Sequence, residues 1–194
     1  KTVNISGITL GGTDAANYSL VSNTATTTGT ITQAQISAIT GITAASRAYD
    51  GTTAASLTTS GANFTGLIAG DSLTIATANG AFADKNAGTN KTINISGITL
   101  GGTDASNYSL VSNTATTTAT ITQAQISAIT GITAASRAYN GTTAASLTTS
   151  GANFTGLIAG DTLTVATATG AFADKNAGTN KTVNISGITL GGTD

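Results

Sequence analysis

The chain has 194 residues, of which only 8% are charged: seven Lys and Arg against eight acidic groups, for a net charge of −1. It has no Cys, Met, Trp, Pro or His, and every acidic residue is an Asp. That balance excludes a nucleic-acid face, which needs clustered Lys and Arg to neutralise phosphates, and a polybasic membrane contact.

The other exclusions follow from residue types. No apolar run approaches the ~20 residues that cross a bilayer, so no membrane span is expected in this segment. Without His, Cys or Glu, the usual acid–base pairs and activated nucleophiles cannot be assembled, so no enzymatic activity, catalytic residue or cofactor is expected. The missing start Met, the end in mid-motif and the absence of a signal peptide suggest an excerpt of a longer chain. Low complexity and few aromatics would point to disorder, but 39% hydrophobic residues in regular alternation point to a folded chain.

Along the chain, Val3 and Ile5 alternate with Thr2, Asn4 and Ser6, the period-2 pattern of a half-buried strand. Gly7 interrupts the run, Ile8 and Leu10 resume it, and Gly11-Gly12 ends it. Asp14 is placed to cap one short helical turn at 14–17. Ile31 then sits among Thr residues, and residues 30–37 pass between strand-like stretches without Gly or Pro. Turn marks follow at Asp50-Gly51, Ser60-Gly61 and Gly70-Asp71. Leu73 and Ile75 alternate with Thr74 and Ala76. Asn79-Gly80, just before Phe82, predicts a type I′ hairpin turn, for which its counterpart Thr169-Gly170 is less well suited.

After Asn86-Ala87-Gly88 the sequence starts again. KTVNISGITLGGTD at residue 1 returns as KTINISGITLGGTD at 91 and as KTVNISGITLGGTD at 181, a period of 90 residues. Residues 1–90 and 91–180 differ at seven positions: Val3/Ile93, Ala16/Ser106, Gly29/Ala119, Asp50/Asn140, Ser72/Thr162, Ile75/Val165 and Asn79/Thr169. Near-identity at a long period is the mark of an array. Dense turns and β-branched stretches predict an all-β fold of about seven to nine short strands per period, close in size to an immunoglobulin-like sandwich. The expected architecture is tandem immunoglobulin-like β-sandwich modules joined end to end. A β-solenoid is the rival, but no shorter subperiod supports it.

The largest side chains, Tyr18, Tyr49, Phe64, Phe82, Tyr108, Tyr139, Phe154 and Phe172, are expected to anchor the cores, the alternative being exposed aromatics that form a sugar-binding platform. Asp71, Asp84, Asp161 and Asp174 are candidate Ca²⁺ ligands, but none lies in a D-x-D-x-D run and turn chemistry accounts for such positions. Lys85 and Lys91, with Asn residues nearby, permit an isopeptide bond if an acid lies beside the pair. Asn4, Asn17, Asn63, Asn90 and Asn140 stand in glycosylation sequons, common by chance in so Asn-, Ser- and Thr-rich a chain.

A family signature also runs through the period. RAYDGTTAA, from Arg47 through Tyr49, Asp50 and Gly51, is followed by GDSL at 70–73 and GAFADKNAG at 80–88. KTI at 91–93, ITL at 98–100, DASNY at 104–108 and TATIT at 118–122 complete it. This order resembles the bacterial YDG repeat; Tyr139-Asn140-Gly141 departs from it by replacing the Asp. The resemblance implies a β-sandwich stalk module of large secreted, filamentous-haemagglutinin-like adhesins at the surface of Gram-negative cells. Its partners would be neighbouring repeats, with other copies of a filament as a further class. It also sets a phase: 1–34 as the tail of one unit, 35–124 as a complete unit, and 125–194 as the head of the next, with possible sharing of strands. The competing roles are a self-assembling filament subunit and a module that itself binds glycan or host protein.

Overall fold

The computed structural model describes residues 1–193. As expected, the chain is all-β: among the described residues the only helical pieces are two 3₁₀ turns, Ala15–Asn17 and Ala105–Asn107. No helix among them is long and apolar enough to cross a membrane.

The best-formed region is the middle of the chain. A five-stranded sheet runs in the order Arg47–Ala48, Ala115–Thr122, Gly88–Gly101, Thr74–Phe82, Ala54–Ala55. Four of its strands are antiparallel neighbours, and Arg47–Ala48 joins the edge in parallel beside Ile121 and Thr122. The central strand, Gly88–Gly101, carries the apolar alternation of the repeat. Ile93, Ile95 and Ile98 point inward at 0%, 1% and 2% exposure, while Thr92, Asn94 and Ser96 are exposed. The step from two residues to three between Ile95 and Ile98 falls at Gly97, whose φ is +63°. The glycine that interrupts the sequence pattern is therefore an irregularity inside one long strand, where pairing with Thr74–Phe82 shifts register.

Short ladders cover this sheet. Ala38–Thr40 pairs with Asn63–Thr65 and Thr43–Ala44 with Leu57–Thr58, both antiparallel, while Ala34–Ile36 pairs in parallel with Tyr108–Leu110. Ile39, Ile42, Ala44 and Leu57 pack against Phe82, Ile93, Ile95, Ile98, Ala119 and Ile121 to form the main core. A second cluster joins Ile36, Leu73 and Tyr108, flanked by Phe64, Leu67, Leu100 and Leu110. Both clusters are built from large aliphatics and one ring each at low exposure, as expected where burial of apolar area supplies the main driving force.

The small sheets are mixed, and the pairings do not make the continuous antiparallel sheets of an immunoglobulin sandwich. The cause is local. Gly41, at φ +78°, sits so close to the Gly61 carbonyl that no Cβ fits there, and the chain bends between Ala38–Thr40 and Thr43–Ala44. Asn79-Gly80 also needs correction. It is not a hairpin turn but lies inside Thr74–Phe82, where Gly80 faces Ala55 on one side and Ile95 on the other. A Cβ on Gly80 would come within 2.7 Å of the Leu57 side chain, so the glycine permits close packing rather than a turn. Replacement of Asn79 by Thr169 then costs no turn, because Thr suits a strand.

On either side lie partial versions of this unit. In 128–192, Ile129 pairs with Phe154 as Ile39 pairs with Phe64, and Gly170 with Ala145 as Gly80 pairs with Ala55. Leu163–Phe172 and Val183–Gly192 form the long hairpin. At the start, Thr2–Ile5 pairs with Ala25–Thr28, the counterpart of the pairing between Gly88–Gly101 and Ala115–Thr122. Every ladder among the described residues closes within one of these three segments.

Candidate inter-repeat interface

The residues singled out from the sequence divide into core, turn and joint. Phe82 and Tyr108 are core residues at 2% and 3% exposure, and Phe64, Phe154 and Phe172 are half-buried. Tyr18 and Tyr139, expected as anchors, are 73% and 63% exposed. Tyr18 belongs to a segment that lacks the partner strands which bury Tyr108. Tyr139 follows Arg137–Ala138, which form no strand, whereas Arg47–Ala48 before Tyr49 pair with Ile121 and Thr122.

Asp50 is turn chemistry. Its Oδ1 accepts from the Thr52 amide and hydroxyl, both at 2.8 Å, and Gly51 follows at φ +79°. The Thr52 amide, with the Arg47 guanidinium and the Thr52 hydroxyl, pulls the carboxyl pKa down to about 2. Arg47 also stacks over Phe82 at 5.3 Å. Asn140 reproduces the turn, accepting from the Thr142 amide at 3.1 Å and from Arg137, so the departure from Asp keeps the geometry and loses only the charge. Asp84 accepts from the Asn86 amide at 2.8 Å and pairs with Lys91 at 2.5 Å; the lysine, then the amide, holds its carboxyl below the ordinary value. Asp174 and Lys181 repeat the pair. Among the described residues no three acidic side chains come together as metal ligands.

Asp71 and Asp161, preceded by identical residues, do different things. Asp71 Oδ2 accepts from the Tyr108 hydroxyl at 2.6 Å, and that hydroxyl in turn accepts from the Ile68 amide at 3.1 Å. Burial, then the Asp71 carboxylate, raises the Tyr108 pKa. Asp161 reaches out of its own segment. Its Oδ1 accepts from Lys85 Nζ at 3.1 Å, and the Asp161 side chain is only 7% exposed. Tyr49 completes the cluster: Lys85 Nζ lies 5.8 Å from its ring centre, and its hydroxyl is buried near Asp161 without completing a hydrogen bond of ordinary geometry. The Asp161 carboxylate, then burial, raises the Tyr49 pKa. Beside this polar cluster Ile158 rests on Gly51, where an added Cβ would be 3.2 Å from its Cγ2.

Consecutive repeats thus meet through Tyr49, Gly51 and Lys85 on one side and Ile158 and Asp161 on the other. Next to the contact is an open cleft of about 650 Å³ whose lining includes Tyr49, Ala87, Ile126, Ile158, Leu163 and Leu190. In the central unit the counterparts of Ile126 and Leu163, namely Ile36 and Leu73, pack directly on Tyr108. From sequence, Asp161 is a candidate metal ligand for which turn chemistry is the preferred account, Lys85 a conditional isopeptide candidate and Tyr49 a core anchor, while Ile158 is not singled out. The available signal was charge scarcity. Lys91 has Asp84 seven residues away, whereas Lys85 meets its partner 76 residues on, in the next copy of the repeat.

Comparison with known proteins agrees with the family resemblance. The chain matches the YDG domain over residues 32–120 and again over 122–194. Neither the curated proteins nor the solved structures compared with it include a match. Two adjacent matches cover most of its length, and the chain belongs to the YDG domain family.

Proposed function

We propose that this chain is a structural stalk or fibre segment of a large bacterial surface or secreted adhesin, in which repeats set the length and carry a distal binding region away from the cell. The observation that supports this reading is the joint itself. Side chains of the repeat hold the next repeat through a buried carboxylate, a lysine, a tyrosine ring and an isoleucine. The link between them, at 123–127, has no Gly or Pro; a flexible linker would be rich in Gly and Ser. Such a segment works mechanically: backbone ladders and two small cores resist extension, and copy number sets reach.

Small-angle scattering on chains of two and four repeats tests the reading. A stiff stalk gives a radius of gyration that grows almost in proportion to repeat number. Growth near the square root of length, as for a flexible chain, overturns it.

A further inference from the structure

We infer that the aspartate of the Gly-Asp turn serves two repeats through its two oxygens, and that Ile68 and Asp71 form the docking face for a further copy of the repeat. This rests on the array reading above and specifies the surface and the partner. The two halves of the arrangement appear in different copies. In the central unit Oδ2 of Asp71 belongs to the unit itself, accepting from Tyr108. In the following segment Oδ1 of Asp161 belongs to the preceding unit, accepting from Lys85. One carboxylate has acceptor capacity for both, because each oxygen carries its own lone pairs.

The mate of Asp71 is identified by the contact already present 90 residues on. Residues 61–71 and 151–161 are identical in sequence. Ile158 is half-buried against Gly51, whereas Ile68 is 58% exposed. The complementary face is also present and open at the other end of the chain. Tyr139, the counterpart of Tyr49, is 63% exposed, and a Cβ on Gly141 would meet nothing within 4 Å, where one on Gly51 would meet Ile158. Lys175, the counterpart of Lys85, is exposed. The chain therefore presents both sides of one joint, an Ile–Asp side and a Tyr–Gly–Lys side, at different places. Such an interface is head-to-tail and does not close on itself, so it extends a line of repeats in one fixed polarity.

Sedimentation velocity of the full chain, carried to the millimolar range in which a short tether holds the internal joint, tests this. Head-to-tail association should appear as a sedimentation coefficient that rises with concentration. Ile68→Ser and Lys175→Asp should each weaken it about tenfold. Lys175→Arg, which keeps a cation opposite the Asp71 carboxylate and leaves its bond to Tyr108 intact, should retain it. Ile68 is outside both cores, so unchanged melting of Ile68→Ser shows that a loss of association is not a loss of fold. A chain that stays monomeric throughout, or an association indifferent to both single changes, overturns the inference. Scattering on the dilute chain separately reads the Lys85–Asp161 joint. A stiff joint without association sinks the docking face alone, while a freely bending joint sinks the array reading as well.

Discussion

Residues 91–100 and 181–190 share nine of ten identities, and the tenth is Ile93 against Val183. Both form strands, Gly88–Gly101 and Val183–Gly192. Yet Ile98 is 2% exposed and Ile188 38%, and Leu190 reaches 45%. The third copy, at 1–10, pairs with Ala25–Thr28 instead, and Val3 and Ile5 are 45% and 40% exposed. The central strand alone has neighbours on both sides, Thr74–Phe82 and Ala115–Thr122. A hairpin is thus a local property of this sequence, while a core is not: it appears only where both flanking strands and the covering ladders are supplied together.

The comparison is broken most directly at its centre. Ile93→Ala removes a side chain with 0% exposure and should cost about 3–4 kcal/mol, whereas Val3→Ala, at an exposed copy of the position, should cost less than about 1 kcal/mol. Urea denaturation of the two variants measures the difference, and equal losses would erase the distinction between complete and partial units.

A smaller contrast lies at the second glycine of the Gly-Gly pair. Gly12 and Gly102 both have positive φ, +107° and +100°, so backbone strain is common to both. A Cβ on Gly102 meets the Ser72 carbonyl at 2.7 Å, whereas one on Gly12 meets nothing within 4 Å. Gly102→Ala should therefore destabilise by about 1–2 kcal/mol more than Gly12→Ala in the same assay.

Tyr108→Phe removes the hydroxyl that ties Asp71 to the Ile68 amide and should lower the melting temperature by a few degrees, while Tyr18→Phe should leave it unchanged. The pH dependence has a definite sign. The folded state raises the Tyr108 pKa, so its neutral form is favoured by folding. That contribution is complete below the unfolded tyrosine value of about 10 and is lost as pH rises through the higher folded one. Melting curves taken across that range should show a steeper alkaline loss in the native chain than in Tyr108→Phe.

The smallest effect belongs to Asp50→Asn, which turns one copy of the motif into the other. Asn140 keeps the turn and the arginine contact, so the difference should be confined to acid. The depressed Asp50 carboxyl stabilises the fold above the unfolded aspartate value, and this is lost as pH falls through about 2. The variant should lack that acid-dependent loss, with near-identical melting at neutral pH.

Much of the local structure was legible in advance. Alternation of Ile93 and Ile95 with Thr92 and Asn94 marked the strand and its inner face, and Asp50-Gly51 marked its turn with the right chemistry. Asn79-Gly80 was misread because a turn glycine and a glycine crowded by Leu57 look alike in one dimension. The candidate site was harder to see. Lys85, Tyr49, Ile158 and Asp161 lie far apart in the chain, and Ile158 sits in a Gly-rich stretch without periodicity.

By itself the sequence determined the all-β class, the 90-residue recurrence and the inward side of the strand that carries Val3 and Ile5 and of its copies, because these depend on side-chain alternation and on glycines at fixed offsets. The tertiary structure alone decided which copies of identical strands are buried, that the second layer is made of short mixed ladders, and that the Gly-Asp aspartate of one copy serves its own tyrosine while that of the next serves a neighbour's lysine. The physical reason is that burial and ion pairing depend on which surfaces arrive from elsewhere in the chain, and identical residues with different neighbours have different energies.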